Sequence, residues 1–316
     1  MHPAKSVIFF TTGSGAGYGM LTWLAVLALL GYLPAQTTYG LFAFGIAFAL
    51  VGGGLLSSTF HLGHPERAWR AMSQWRSSWL SREGIVAIAT FGPTGLYALA
   101  WIFLNENQSF AGALGLLGAI MSLITVYCTS MIYGSLKTIP AWFTKWTRVA
   151  YMVFALMTGA VLIWALGIVF ALPGTGTIAR LCLFLLATGF VVKIIYWRNI
   201  DNAPATSTAE SATGLGKLGK ITLIESPHSE DNYLLKEMGF RIARKHATKL
   251  RIIALVTGFA VPFFAIVAAL YALPQFQVAF AALAVLAGII GIVTERWLFF
   301  AEAKHVVTLY YGESRI

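Results

Sequence analysis

Long apolar runs separated by short polar and basic intervals dominate the chain. One membrane crossing takes about 20 apolar residues. The pattern therefore predicts eight transmembrane helices, at roughly 11–31, 38–60, 84–104, 110–134, 148–171, 176–197, 251–272 and 275–300. The expected fold class is all-α, a polytopic membrane protein, in three stretches: helices one to six over 1–197, a polar connection over 198–250, and helices seven and eight with a tail over 251–316. In the connection, NAPATSTAESATGLGKLGK is small, polar and Gly-rich and reads as an extended linker or a segment draped over another surface. Ser229 then N-caps a predicted helix with Glu230 and Asp231 in its first turn and Tyr233, Leu234, Met238 and Ile242 at helical spacing. Such an amphipathic helix lies on a membrane or docks on a partner protein, and the connection is too short for an independent catalytic domain.

Composition agrees with the pattern. Hydrophobic residues make up 58% of the 316 and charged residues 11%, where an ordinary soluble globule has about 25% charged. Cys128 and Cys182 are far apart with no CxxC pair, so they are expected to pack as small apolar residues, without an iron–sulfur cluster or structural zinc. The N-terminal stretch reads as an uncleaved first span rather than a signal peptide.

Charge orients the helices. An even number of spans puts both termini on one side, and 21 of the 22 Lys and Arg residues fall in the connections and tails of that side, against Arg180 alone on the other. By the positive-inside rule both termini are expected in the cytoplasm, at the cytoplasmic membrane. The net charge of +10 then needs no nucleic-acid partner. In the fourth connection Trp142 and Trp146, with Lys145, look like interfacial anchors.

The chemistry concentrates between Ser57 and Gly84, SSTFHLGHPERAWRAMSQWRSSWLSREG, where two histidines, four arginines and two glutamates are interleaved with Trp69, Trp75 and Trp79. Indoles at headgroup depth and guanidiniums facing water and phosphate describe a segment at a membrane surface, in contact with lipid. His61 closes the apolar run GGGLLSSTFH. Its imidazole either exchanges protons at the membrane edge or caps a helix end. Gly13/Gly17 and Gly15/Gly19 form two overlapping GxxxG pairs, and Gly52, Gly53 and Gly54 precede His61. Small residues at this spacing let helices, or a flat ligand, approach the backbone; no strand precedes them, so a dinucleotide fingerprint is excluded. Glu295 and Arg296 stand near the end of the eighth span, where an ion pair to another helix is one reading and a role near a site the other. The six histidines all lie at span ends, in loops or in tails, so no facing pair exists for a b-type haem, and no metal-binding cluster can be assembled by spacing. Two function classes remain: an anchor that handles the protons of a lipid-soluble quinol while a partner takes the electrons, and a secondary transporter of a small anion. The second should show inverted repeats and broken helices at midplane, and no half-to-half similarity is seen.

The run HLGHPERAW with WRSSWLSREG, then SLKTIPAW, the TAESATGLG linker, the EMGFRIARKHA helix and RWLFFAEAKHVVTLYYG together resemble the membrane anchor subunit of the dimethyl sulfoxide reductase family. The resemblance implies a non-catalytic anchor on which a molybdopterin catalytic subunit and an iron–sulfur electron-transfer subunit dock, and which oxidises menaquinol in anaerobic respiration. His61 matches the histidine of the HLGxP motif that such anchors use at the quinol site, and Glu83 matches a glutamate at the start of the third span. The sequence departs from the pattern in a second histidine, His64, within the motif and in its long sixth connection. The expected site lies at the cytoplasmic ends of the first three spans. His61 is its base and Glu83 the proton exit, with His64, Arg67 and Arg70 beside the ring and Gly15, Gly17 and Gly53 walling the slot.

Overall fold

The computed structural model describes residues 5–61, 64–203, 207–222, 224–225 and 245–311. The predicted amphipathic helix from Ser229 lies outside the described residues. Helical segments follow one another: α1 (Lys5–Phe9), a π segment (Phe10–Ser14), α2 (Gly15–Leu29), α3 (Thr37–Ser57), α4 (Trp79–Leu104), α5 (Ser109–Gly134), α6 (Lys145–Val169), α7 (Thr175–Asp201), the short α8 (Ala209–Thr213), α9 (Ala247–Leu255), a second π segment (Val256–Ala260), α10 (Val261–Tyr271) and α11 (Pro274–Ala301). Short 3-10 turns occupy Ser58–His61, Pro65–Gln74 and Val306–Tyr311.

Among the described residues, seven helices are long and apolar enough to cross a membrane. The predicted first span is not among them, because four glycines and the hydroxyl residues Thr11, Thr12 and Ser14 dilute its apolar character. Those hydroxyls donate back to carbonyls one turn earlier, Thr11 to Val7 at 2.9 Å and Thr12 to Ile8 at 2.8 Å, so the widened turn carries no unmet donor at these groups. The fifth span begins earlier than the hydropathy pattern suggests, at Lys145, and the third at Trp79, which places Glu83 inside a helix rather than before one.

Hydrogen bonds mark two ends of the bundle. At one, Ser57 donates to the Ser6 carbonyl, Trp142 to that of Phe299, Tyr196 to that of Ala141, and Val306 to that of Thr138. At the other, Asn107 donates to the Leu33 carbonyl, Gln108 to that of Ala28, and Thr37 to Asn105. The first helical run therefore reaches from end to end like the longer helices. The first end carries the basic connections.

The glycine pairs of α2 serve helix packing, and the two-residue offset between them turns them to different neighbours. A Cβ on Gly17 would stand 2.7 Å from the Ala47 carbonyl of α3, while one on Gly19 would run into the Ala155 backbone of α6. Backbone meets backbone on both sides, which is how small residues hold membrane helices together. Cys128 and Cys182 are buried and unbridged, as expected. Trp142, in the SLKTIPAW segment, corrects an expectation: it is not an interfacial anchor. It is 7% exposed and stacks on Phe299 with ring centroids 5.5 Å apart, because its indole N–H is satisfied inside the bundle.

Candidate functional site at the basic end of the bundle

Glu83 sits in the second turn of α4, about one turn inside the basic end. Its side chain is 4% exposed, and Thr129 of α5 donates to it over 3.4 Å. A carboxyl group so deep, held by a single weak bond among the described residues, is able to gain and lose a proton with little cost in broken partners.

The other predicted site residues are spread around it. His61 ends the 3-10 turn Ser58–His61, and its side chain falls outside what the structure describes. His64 and Arg67 are exposed and both reach Glu66, at 3.0 and 3.6 Å. Arg70 is exposed, with its guanidinium 5.5 Å from the ring centroid of Trp69. The segment carrying them is a 3-10 turn rather than an α-helix, and neither arginine is tied to Glu83. Arg76 and Arg82 likewise lie over Trp75 and Trp79, with Trp69 and Trp75 exposed, the arrangement expected of an interfacial segment. Gly15 borders a polar chamber, Gly17 is packed on α3, and Gly53 faces Phe9 of α1 at ordinary contact distance.

The bundle also holds a buried lysine that the sequence pattern missed. Lys193 of α7 and Glu295 of α11 form an ion pair with each side chain 1% exposed, so the helix-to-helix reading of Glu295 is the one realised. By charge counting Lys193 is a residue flanking the sixth connection; it lies instead about 12 Å inside the end of α7. A lone Lys within the apolar run FVVKIIYW is the signal that marks it. Aromatic faces line this charge: Lys193 lies 4.1 Å from the Tyr196 ring centroid and 4.5 Å from that of Trp197. Arg296 lies 4.0 Å from that of Tyr151. Closer to the surface, Arg251 bonds both carboxylate oxygens of Asp201 at 2.6 and 2.9 Å and Glu302 at 2.7 Å, clamping α7, α9 and the end of α11 together.

Arg296 and Tyr151 do not fully satisfy one another. The Arg296 Nε–H lacks a hydrogen-bond partner among the described residues, and the Tyr151 hydroxyl has none there beyond the Arg296 guanidinium itself, although both side chains are almost wholly buried. Both face a polar chamber of about 20 Å³, which Ser14, Gly15 and Thr129 also line. Next to it, across Thr12, Ala16, Thr158 and Ile292, is an apolar cavity of about 350 Å³ between the two π segments, α3, α6 and α11. Among the described residues, no group of three or more His, Cys, Asp or Glu side chains is placed to hold a metal ion.

A family model of DMSO reductase anchor subunits matches residues 1–312, very nearly the whole length. The protein belongs to the DMSO reductase anchor subunit family. It is 31% identical to the C subunit of sulfite dehydrogenase from Allochromatium vinosum, over 98% of its own length and 99% of that protein. The C component of anaerobic dimethyl sulfoxide reductase from Escherichia coli is 26% identical, over 51% of the present sequence and 56% of its own. The corresponding Haemophilus influenzae protein is 24% identical over 51% and 57%. An anchor subunit of this family works as a membrane component of a molybdoenzyme complex, which fits a bundle with seven candidate spans and a charged, partly unsatisfied interior at one end.

Proposed function

We propose that this protein crosses the cytoplasmic membrane eight times with both termini in the cytoplasm, anchors a molybdopterin catalytic subunit and an iron–sulfur electron-transfer subunit there, and oxidises menaquinol at its basic end. The observation that carries this reading is Glu83, an acid buried inside that end of an anchor-family bundle with one hydrogen-bond donor among the described residues. Oxidation of one quinol releases two electrons and two protons. The electrons pass singly to the iron–sulfur clusters of the partner, and the protons need bases within hydrogen-bond reach of the ring hydroxyls. His61 and Glu83 take that role, His61 at the turn where α3 meets the polar connection and Glu83 as the route back to water. Proton release on the side of the catalytic subunit makes turnover electroneutral.

The near full-length similarity to the sulfite dehydrogenase protein, against half-length similarity to the dimethyl sulfoxide reductase proteins, favours a second direction of flow through the same site. Electrons from sulfite would then arrive through the iron–sulfur partner, and a bound quinone would take two electrons and two protons to become quinol. The test is kinetic, on membranes carrying the whole complex. Menaquinol-driven reduction of an S- or N-oxide supports the first direction, sulfite-driven quinone reduction the second, and a complex that does neither rejects both.

A further inference from the structure

The chamber at Arg296 and the cavity beside it have complementary chemistry. A chamber of about 20 Å³ holds one water-sized group, and its lining includes Arg296, whose Nε–H is unmet, and Tyr151, whose hydroxyl proton has no acceptor among the described residues. Arg296 shares its carboxylate, Glu295, with Lys193, so its guanidinium keeps a donor for an electron-rich oxygen. The adjoining cavity of about 350 Å³ is at the lower end of the range for small-molecule sites. Its polar lining includes the Thr12 and Thr158 hydroxyls, which already donate to their own helices at 2.8 and 2.7 Å and so offer only lone pairs. Phe9, Ile289 and Val293 line it while facing outward, at 47%, 54% and 39% exposure, so it opens sideways toward the membrane.

We infer that the chamber takes one ring oxygen of a prenylated quinol, hydrogen-bonded by Arg296 and Tyr151, and that the adjoining cavity takes the ring and the start of the prenyl tail. This inference rests on the quinol reading and gives it a place. The ring oxygen meets donors that the protein leaves unpaired, the ring hydroxyl can donate to Thr158, and the tail leaves between the first helical run and α11 into lipid. Glu83 stands behind Thr129 on the far wall of the chamber.

The test uses the assembled complex. Steady-state kinetics are measured with menadiol, which has no tail, and with a prenylated menaquinol, and binding of menadione is followed by quenching of tryptophan fluorescence. Tyr151→Phe removes a hydroxyl whose one partner among the described residues is the Arg296 guanidinium, so a purely structural role predicts a small loss of stability and no loss of quinol affinity. The inference predicts a KM about three- to tenfold higher for both quinols and a matching loss of menadione affinity. Gly288→Leu fills the cavity from a position where a Cβ has 3.8 Å to Pro262, and should raise KM severalfold more for the prenylated quinol than for menadiol. Unchanged KM and menadione affinity in Tyr151→Phe overturn the head-group assignment. Equal effects of Gly288→Leu on both quinols overturn the tail assignment and give the cavity to a lipid acyl tail. Failure of the unsubstituted complex to bind menadione or turn over either quinol rejects the proposed function itself, a separate outcome.

Discussion

Lys193 of α7 and Glu295 of α11 are paired where each side chain is 1% exposed, and Arg296 lies 3.5 Å from the second oxygen of the same carboxylate. One acid therefore serves two buried cations. Removing Glu295 leaves both cations unpaired, whereas removing Lys193 leaves Arg296 as a partner for the carboxylate. Breaking a buried pair by deleting one side costs about 3–5 kcal/mol. Glu295→Gln should therefore lower the thermal unfolding midpoint in detergent clearly more than Lys193→Met does. The opposite order would mean that the cluster's charge is balanced by something other than Glu295.

Proton transfer is assigned to His61 and Glu83. His61→Ala and Glu83→Gln should leave the complex on the membrane while abolishing electron transfer from a menaquinol analogue, and a soluble dye feeding the iron–sulfur subunit should still drive reduction. Loss of both activities together would indicate failed assembly. Retention of both after His61→Ala would move the base to His64.

The linker is expected to hold a partner subunit. Its α8 carries a reciprocal cap between Thr208 and Ser211, and the Ala212 carbonyl accepts from the Tyr310 hydroxyl at 2.9 Å, so this part of the linker is fastened to the tail. Deleting 205–222 should release the soluble subunits into the wash fraction while the membrane helices stay inserted. Unchanged retention of those subunits would assign the linker another use.

The tail should respond to acid. Burial holds the His305 imidazole below the ordinary histidine range, and its Nδ1 accepts from the Val307 N–H at 2.9 Å. With its folded pKa lowered, the histidine adds stability that is complete above the unfolded value of about 6.5 and is lost as pH falls through the folded value, because the unfolded chain then binds more protons. Amide exchange in Val306–Tyr311 should accelerate below about pH 6.5, corrected for intrinsic rates. A flat profile would show that the turn is held by other bonds.

Haem is expected to be absent from the purified protein. A reduced-minus-oxidised spectrum should lack a stoichiometric b-type band, and a band would require a pair of histidines facing each other inside the bundle.

Hydropathy and charge alone determined the membrane class, the long apolar helices and the single basic end, because each follows from local composition repeated over many residues. They also pointed to the interfacial segment around Trp69 and Trp75, whose cation–aromatic pairs lie close together in sequence. Tertiary structure decided the rest. Lys193 and Glu295 are 102 residues apart and Trp142 and Phe299 are 157 apart; a charge inside an apolar run flags Lys193 and Glu295 singly, but nothing local says which residue is whose partner. The chamber needs α2, α5, α6 and α11 at once, so the placing of Arg296, with its unmet Nε–H, beside Tyr151 depends on how four helices pack. A glycine pair announces a close approach, but only the rotation of α2 in the bundle gave Gly17 to α3 and Gly19 to α6.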